Sequence, residues 1–448
     1  MSDGNQLHER LRRLAEAGRL AEFGALAREL HASDLSDILA SLDEELRVRV
    51  VEALPPEITS EAIAEMEDEE HPEELLAAME TELAADIVEE LDADDAVDLI
   101  GDLSPEAATR ILSEVEREER ADIERLLRYD EETAGGLMTT EVVAVAESAT
   151  AAQAIEEIRR QAEETGDFFQ VFCVDAGRRL VGTLSLQRLV VAKPAEVVRN
   201  IMEPPPAVAL PEMDQEDVAR LMARYNVPSM PVVDRAGALL GRVTFDDVID
   251  VVEAEQTEDL LRFGGGSADE PLGGAWYGAV RHRLPWLYVN LLTAFLAGAV
   301  VYLFQGTIAR LVALAVWMPI IAGMGGNAGT QALAVTARRI ALGMTPAGQG
   351  LKLVGKELIV GLVNGFAIGI VVAVVATLMG HAWLLGAVVM LAMWGNQIVA
   401  TVAGAAIPLA LDRIGVDPAV ASSVFVTTLT DIAGFVLLLG LATVLVLR

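Results

Sequence analysis

The stretch from Leu284 to Arg448 constrains this chain most. It holds four acidic residues (Glu357, Asp412, Asp417, Asp431) and seven basic ones (Arg310, Arg338, Arg339, Lys352, Lys356, Arg413, Arg448). Five apolar runs fill it, near 285–305, 308–337, 358–379, 383–411 and 419–447. Each meets the ~20 residues that a helix needs to cross hydrocarbon, so residues 284–448 read as a five-helix transmembrane domain. The rest of the chain is its opposite. The whole sequence carries −35 and is 52% hydrophobic; the apolar back accounts for +3, which leaves −38 on residues 1–283. An acidic soluble front joined to a nearly charge-free membrane back reconciles the two numbers.

The basic residues orient the spans. Arg281 and Arg283 precede the first run, Arg338, Arg339, Lys352 and Lys356 fill the loop between the second and third, and Arg413 lies between the fourth and fifth. These are alternate loops on one side, so the positive-inside rule places the N-terminus in the cytoplasm and Arg448 outside. The opening "MSDGNQLHERLRR" has no apolar region behind its charges and does not read as a signal peptide. The single Cys173 excludes an intramolecular disulfide and fits a reducing compartment.

Residues 5–130 read as short helices in series. "LSDILASL", "LAADIVEEL" and "AVDLIGDL" place apolar residues at three- and four-residue spacing with acids between. Breaks fall at "LPPE" and "LSPE", where proline follows an N-cap or turn position. Similar units in series predict an α-helical superhelical N-domain over 1–133, with a strongly anionic surface.

A tandem repeat follows. "VFCVDAGRRLVGTLSLQRLV" (171–190) aligns with "MPVVDRAGALLGRVTFDDVI" (230–249), and an offset of 59 matches Asp175 with Asp234 and Gly182 with Gly241. Each copy reads as βαββα, preceded by a Met-led segment, "LMTTEVVAV" or "IMEPPPAVAL", and an amphipathic helix. Two such units resemble a pair of cystathionine-β-synthase (CBS) motifs docked as an α/β Bateman module, the first over 134–199 and the second over 200–252. Residues 246–263, "DDVIDVVEAEQTEDLLRF", continue as an acidic helix into "GGGS", a hinge-capable joint. A connecting helix and linker over 253–283 would carry motion to the membrane.

The apolar spans carry selected polar groups. The second contains "MPIIAGMGGNAGTQAL" (318–333), irregular backbone that membrane depth tolerates only inside protein or beside water. The fourth contributes Asn396, Gln397 and Thr401, and the fifth Thr427, Thr428, Thr430 and Asp431. Oxygen donors of this kind suit Mg²⁺, Ca²⁺ or Mn²⁺. Close helix packing accounts for part of the small-residue content, and threonines often bond between helices. Asp431 is different: a mid-membrane carboxylate costs about 2.5–3.5 kcal/mol on insertion scales, and no base lies near to neutralise it. One carboxylate per chain is too little for a divalent cation. A two-fold homodimer would bring two copies of Asp431 to the axis, with Asn327 and Thr428 as pore lining, around an ion that keeps its waters.

The order of these parts, with "ETAGGLMTTE" (132–141), "TEDLLRFGG" (257–265), "GMGGNAGTQA" (323–332) and "TTLTDIAGF" (427–435), resembles the MgtE family of magnesium channels over essentially the whole chain. The resemblance implies a homodimeric Mg²⁺-selective channel of the cytoplasmic membrane. Its cytosolic domains would sense Mg²⁺, its connecting helices act as plugs, and Asp431 match the pore aspartate. Sensing candidates are Asp94, Asp95 and Asp98 on the bundle, and Asp214, Glu216, Asp246, Asp247 and Asp250 on the CBS face. Glu253, Glu255, Glu258 and Asp259 on the connecting helix and Asp417 before the last span complete the set. Carboxylates close together repel at low Mg²⁺ and draw together when the ion bridges them.

CBS pairs commonly bind adenine nucleotides through Ser/Thr-x-x-Asp, whose Asp holds the ribose, and relatives of this family can bind ATP there. The second copy has that pattern as Thr244 and Asp247; the first has Ser185 followed by Gln187 and Arg188. No enzyme is expected: there is no P-loop or nucleophile elbow, and His8, His31, His71, His282 and His381 are scattered. No nucleic-acid partner is expected either. Two other readings stay open, a broader divalent-cation transporter and a non-conducting, membrane-anchored ion or nucleotide sensor.

Overall fold

The structure is a computed structural model that describes residues 2–66, 70–162, 168–263, 276–342, 344, 350–379, 382–414, 416 and 422–447. They form two compact units, Met1–Glu253 and Ala254–Arg448.

Unit one begins, among the described residues, with ten short helices: α1 (Ser2–Glu16), α2 (Leu20–Ala27), α3 (Ala32–Ala40), α4 (Glu44–Val51), α5 (Pro56–Ala64), α6 (Pro72–Ala78), α7 (Thr81–Glu89), α8 (Ala93–Asp102), α9 (Pro105–Leu112) and α10 (Arg117–Leu126). Both proline breaks start helices: Pro56 opens α5 and Pro105 opens α9, positions where the missing N–H costs nothing. Ser104 caps α9 by accepting from the Ala107 amide at 3.3 Å. From α3 onward each helix packs on the one two places later, odd on odd and even on even. That gives the two stacked layers of a superhelix, over buried Phe23, Leu35, Leu39, Ile63, Leu76, Ile87 and Ile111.

The CBS copies follow as β1 (Ala144–Ala146), α11 (Ala151–Gln161), β2 (Gln170–Val174), β3 (Leu180–Ser185) and α12 (Leu186–Val191), then α13 (Val198–Ile201), α14 (Gln215–Tyr225), β4 (Ser229–Val233) and β5 (Leu239–Thr244). In the first copy β1 runs parallel to β2, and β2 pairs antiparallel with β3. In the second, β4 and β5 pair antiparallel and the first strand shrinks to one parallel bridge, Ala209 with Val232. The aligned aspartates are turn-makers. Asp175 accepts from the amides of Gly177 and Arg179, and Asp234 from those of Ala236 and Ala238, all at 2.8–3.0 Å.

The Met-led segments cross over. Thr139, at the head of the first copy, exchanges two backbone bonds of 2.9 Å with Arg242 on β5 of the second. Glu203, at the head of the second, exchanges bonds of 2.8 and 2.9 Å with Thr183 on β3 of the first. The matched glycines make room: a Cβ on Gly182 would stand 2.8 Å from Met202 Sδ, and one on Gly241 would collide with the Thr139 carbonyl. The repeat therefore conserves its glycines for an interlock of the two halves. Helix α15 (Phe245–Phe263) ends this part of the chain.

The second unit contains α16 (Trp276–Leu303), α17 (Gln305–Arg310), α18 (Leu314–Ala341), α19 (Gly350–Leu378), α20 (Trp383–Arg413) and α21 (Ser422–Leu445). Among the described residues, four helices are long and apolar enough to cross a membrane, α16, α19, α20 and α21. With 28 residues α18 has the length, but its glycines, Asn327, Thr330, Gln331 and the Arg338–Arg339 end lower its apolarity. The expected boundaries also shift. The first run is helical from Trp276, a break at Phe304 sets off the short α17, and α19 begins at Gly350. Lys352 and Lys356, expected in a loop, therefore lie in the first turns of α19, a helix start that accommodates them because its remaining turns are free of charge after Glu357.

α20 is the central helix of this unit, packed on α18, α19 and α21. Gly361, Gly365 and Gly369 of α19 form one small-residue stripe against it, and a Cβ on Gly404 of α20 would collide with the Gly329 carbonyl and stand 2.8 Å from Ala332 Cβ of α18. Small residues at four-residue spacing let helix backbones approach where no hydrophobic force draws them together.

Candidate ion sites

Helix α8 and the start of α15 bring acids together within the first unit. Asp94 is 9% exposed, and its Oδ1 is buried without a hydrogen-bond partner. Burial raises its pKa well above the carboxylate range, and the charges of Asp247, Asp95 and Asp92 raise it further. Asp95 is half-buried; burial and then Asp92, Asp247, Asp98 and Asp246 push its carboxyl from 3.8 up to about 8. Asp247 is raised by burial and by Asp246 and Asp250, while the Thr244 amide (3.1 Å) and Oγ1 (2.5 Å) donate to its Oδ2 and partly offset this. Asp250 is raised by burial, then by Asp246, Glu253 and Glu65.

The charged groups that act most strongly on these four carboxyls are acids, an arrangement a divalent cation would relieve. The buried Asp94 oxygen is unpartnered, but no three of these carboxylates bring their oxygens within 4.8 Å of one another, so a hard divalent ion here would be held partly through its waters. Asp94, Asp95, Asp98, Asp246, Asp247, Asp250 and Glu253, each a sensing candidate from the sequence, are linked by these charge interactions.

Two expected sensors lie elsewhere. Asp214 caps α14 by accepting from the Glu216 amide at 3.0 Å, and Glu216 pairs with Arg220 at 2.9 Å. Their charges serve a helix start and an i,i+4 pair. Glu255 is half-buried, and Glu258 pairs with Arg262 on the same helix. Asp417 and the side chain of Asp259 lie outside the described residues. Sequence reasoning missed Asp92 and Glu65. Asp92 stood in plain view beside the chosen pair in "LDADDAVD". Glu65, whose Oε2 accepts from Ser33 Oγ at 2.6 Å, gave no local signal.

In the second unit, α21 lays Val426 and Thr430 into the glycine groove of α18 at Gly325 and Gly329. Thr430 is fully buried there, and Asp431, one residue round the helix, is half-buried. Thr428 is half-buried and donates back to the Val424 carbonyl at 2.7 Å. Asn327 is exposed; two residues from Gly325, it lies about 200° round α18 from the groove that receives α21. Asn327 therefore lies off the face of α18 that receives Val426 and Thr430.

The polar groups of the fourth span do other work than expected. Asn396, Gln397 and Thr401 are 0%, 1% and 3% exposed. Asn396 Nδ2 donates to the Ile321 carbonyl and Gln397 Nε2 to the Met324 carbonyl, each at 3.0 Å. They fasten α20 to α18 instead of facing a water path, because a buried amide must find a partner and the glycine-rich turn of α18 exposes its carbonyls.

Taken together, an acidic helical superhelix, a CBS-like pair and a set of membrane-length helices around a polar, glycine-rich one define a multi-pass membrane protein with a soluble N-terminal front. Family models agree. A divalent cation transporter model matches residues 318–441, the MgtE intracellular N domain matches 30–132, and the CBS domain matches 134–194 and 198–254. The magnesium transporter MgtE of Enterococcus faecalis is 36% identical across 99% of this chain and 98% of its own length. That of Thermus thermophilus is 37% identical across 73% of each chain. Among solved structures, the soluble part of a magnesium transporter superposes with a TM-score of 0.53 at 32% identity, covering 56% of this chain and 99% of that one. The cytosolic domain of the Mg²⁺ channel MgtE in complex with ATP gives 0.52 at 36% identity, covering 54% and 98%. The chain belongs to the MgtE family of magnesium transporters.

Proposed function

We propose that two copies of this chain form a Mg²⁺-selective channel in the cytoplasmic membrane, with five spans per protomer and the N-domain and CBS pair on the cytoplasmic side. The working domains are 1–133, 134–199, 200–252, 253–283 and 284–448. Cytosolic Mg²⁺ is the gating ligand and Mg²⁺ is the cargo. When the ion is scarce, charging Asp94, Asp95, Asp98, Asp246, Asp247 and Asp250 side by side is costly, and separation of the N-domain from the CBS pair lets them ionise in water. When it is plentiful, bridging neutralises them and draws the connecting helices, with Glu253, Glu255, Glu258 and Asp259, into their closed position.

The observation that carries the gate is the orphaned, buried Asp94 oxygen facing a CBS carboxylate, Asp247. Gathered carboxylates cost several kcal/mol without a counter-ion. Such a structure makes sense when a divalent ion is the expected occupant. For the pore, Asp431 of each protomer holds a hydrated ion at the dimer axis, with Asn327 and Thr428 beside it. Each half-buried Asp431 lies next to the α18 groove and needs its dimer mate to make a site of charge −2.

Mg²⁺ flux into proteoliposomes tests both parts. Asp431→Asn is expected to cut flux about tenfold or more, since it removes the charge that draws the cation into a low-dielectric path. Unchanged flux would sink the pore assignment. Running Ca²⁺, Mn²⁺ and Co²⁺ beside Mg²⁺ addresses the broader carrier, a reading favoured by the family description as a divalent cation transporter.

A further inference from the structure

The offset that aligns the CBS copies pairs Ser185 with Thr244 and Arg188 with Asp247. A ribose offers its 2′ and 3′ hydroxyls as donors, and nucleotide folds usually meet them with a carboxylate. Asp247 supplies an acceptor at this place in the second copy. Arg188 supplies none in the first: a guanidinium carries five donors and no acceptor.

The structure shows how far the first copy has been committed to that exchange. Arg188 forms an ion pair with Glu203, reaches the Ile201 carbonyl with Nη1 at 3.5 Å, and donates its amide to Ser185 Oγ at 3.3 Å. Glu203 is itself held in place, since its amide and carbonyl both bond Thr183 on β3 and the backbone of Gly182 lets this segment lie close. The crossed-over head of the second copy thus delivers a carboxylate to the spot where Arg188 needs one. In the second copy Asp247 keeps its oxygens, but Thr244 takes Oδ2 twice and Asp94 of the N-domain is an acidic neighbour.

We infer that the CBS pair of this chain does not hold an adenine ribonucleotide, unlike the related cytosolic domain solved with ATP. Arg188 with Glu203 replaces the ribose acceptor of the first copy, and Asp247 of the second belongs to the acidic cluster. A phosphate does not rescue the first site. It would have to break the Arg188–Glu203 pair and then meet the released Glu203 carboxylate. Arg188 is the residue that sets this specificity, and Glu203 neutralises it. The claim concerns nucleotide binding alone and stands whether or not the pore conducts.

Equilibrium dialysis of the purified full chain with labelled ATP, with and without Mg²⁺, tests it. The wild type is expected to show no saturable binding. Arg188→Asp combined with Glu203→Gln restores an acceptor and removes the stranded carboxylate, and is expected to tighten ATP binding by about tenfold or more. An unchanged melting curve and tryptic pattern establish that the variant is folded. Saturable ATP binding by the wild type that Arg188→Ala abolishes would overturn the inference, as would wild-type binding of any other origin within the CBS pair. A folded double variant that stays silent would overturn the assignment of the loss to Arg188.

Discussion

Asp95 gives the proposed Mg²⁺ gate a proton to displace, and the size of the effect follows from its surroundings. Its carboxyl rises from 3.8 to about 8 in the folded chain. Charging it in the ion-free compact form is therefore disfavoured by at most roughly 6 kcal/mol relative to an exposed carboxyl. Because the compact form holds this proton at neutral pH, only about 1.4 kcal/mol remains for Mg²⁺ to overcome at pH 7. The raised value fixes the sign. The ion-free compact form gains stability from the bound proton, fully so below about pH 4, and loses that gain as pH climbs towards about 8. Mg²⁺ that binds this ion-free compact form expels the proton, so its apparent affinity for that form tightens about tenfold per pH unit between roughly pH 5 and 8 for this residue alone. Asp94, Asp247 and Asp250 shift in the same direction and steepen the trend. Trypsin protection of the full chain, titrated with MgCl₂ at fixed ionic strength between about pH 6 and 8, measures the midpoint. Asp95→Asn is expected to reduce the slope by about one decade per pH unit. A wild-type midpoint that moves less than about twofold over that range would refute the reasoning.

Two packing predictions follow from the glycine seams. Gly404→Ala places a methyl on the Gly329 carbonyl and against Ala332, and is expected to destabilise the membrane unit by about 1–3 kcal/mol, read as a lower melting temperature in detergent. Gly298→Ala, where a Cβ meets nothing within 4 Å, is the matched control and should melt with the wild type. Gly241→Ala pushes the Thr139 carbonyl off β5 and is expected to expose the 132–141 segment to protease while leaving the N-domain helices protected.

The first unit was legible because its signals are local. Proline after a capping residue announced α5 and α9, and the 59-residue offset announced two copies of one unit. What the offset did not reveal is why its matched positions recur. Asp175 and Asp234 recur to hold hairpin turns, and Gly182 and Gly241 to admit a chain segment from the opposite copy. A repeat alignment shows that positions are equivalent. Only the fold shows that the two heads are exchanged, since that contact joins residues such as Thr139 and Arg242 that no local pattern connects.

The acids show the same limit more sharply. Asp94, Asp214 and Asp247 all sit in or beside the first turn of a helix, so each reads as a capping residue, a solvated charge or an ion ligand with equal right. Asp214 is decided by the Glu216 amide it accepts from. Asp247 accepts from its own local cap donors in much the same way. What separates it is a second helix 150 residues away in sequence that places Asp94 beside it and hides an oxygen of Asp94 from every donor. The membrane half repeats the lesson in reverse. Asn396 and Gln397 looked like pathway residues because amides are rare in apolar spans, yet the carbonyls of Ile321 and Met324 take their hydrogens. Asp431 stands beside the α18 groove that Val426 and Thr430 fill, and among the described residues the buried Asn396 Oδ1 is also left without a donor. A carboxylate can be retired by donors and an amide by acceptors, and the bundle is rich in carbonyl acceptors but poor in free donors. That asymmetry is why the amide hydrogens of Asn396 and Gln397 are taken up by α18 carbonyls, and it is what makes Asp431 the residue to test as the proposed cation ligand.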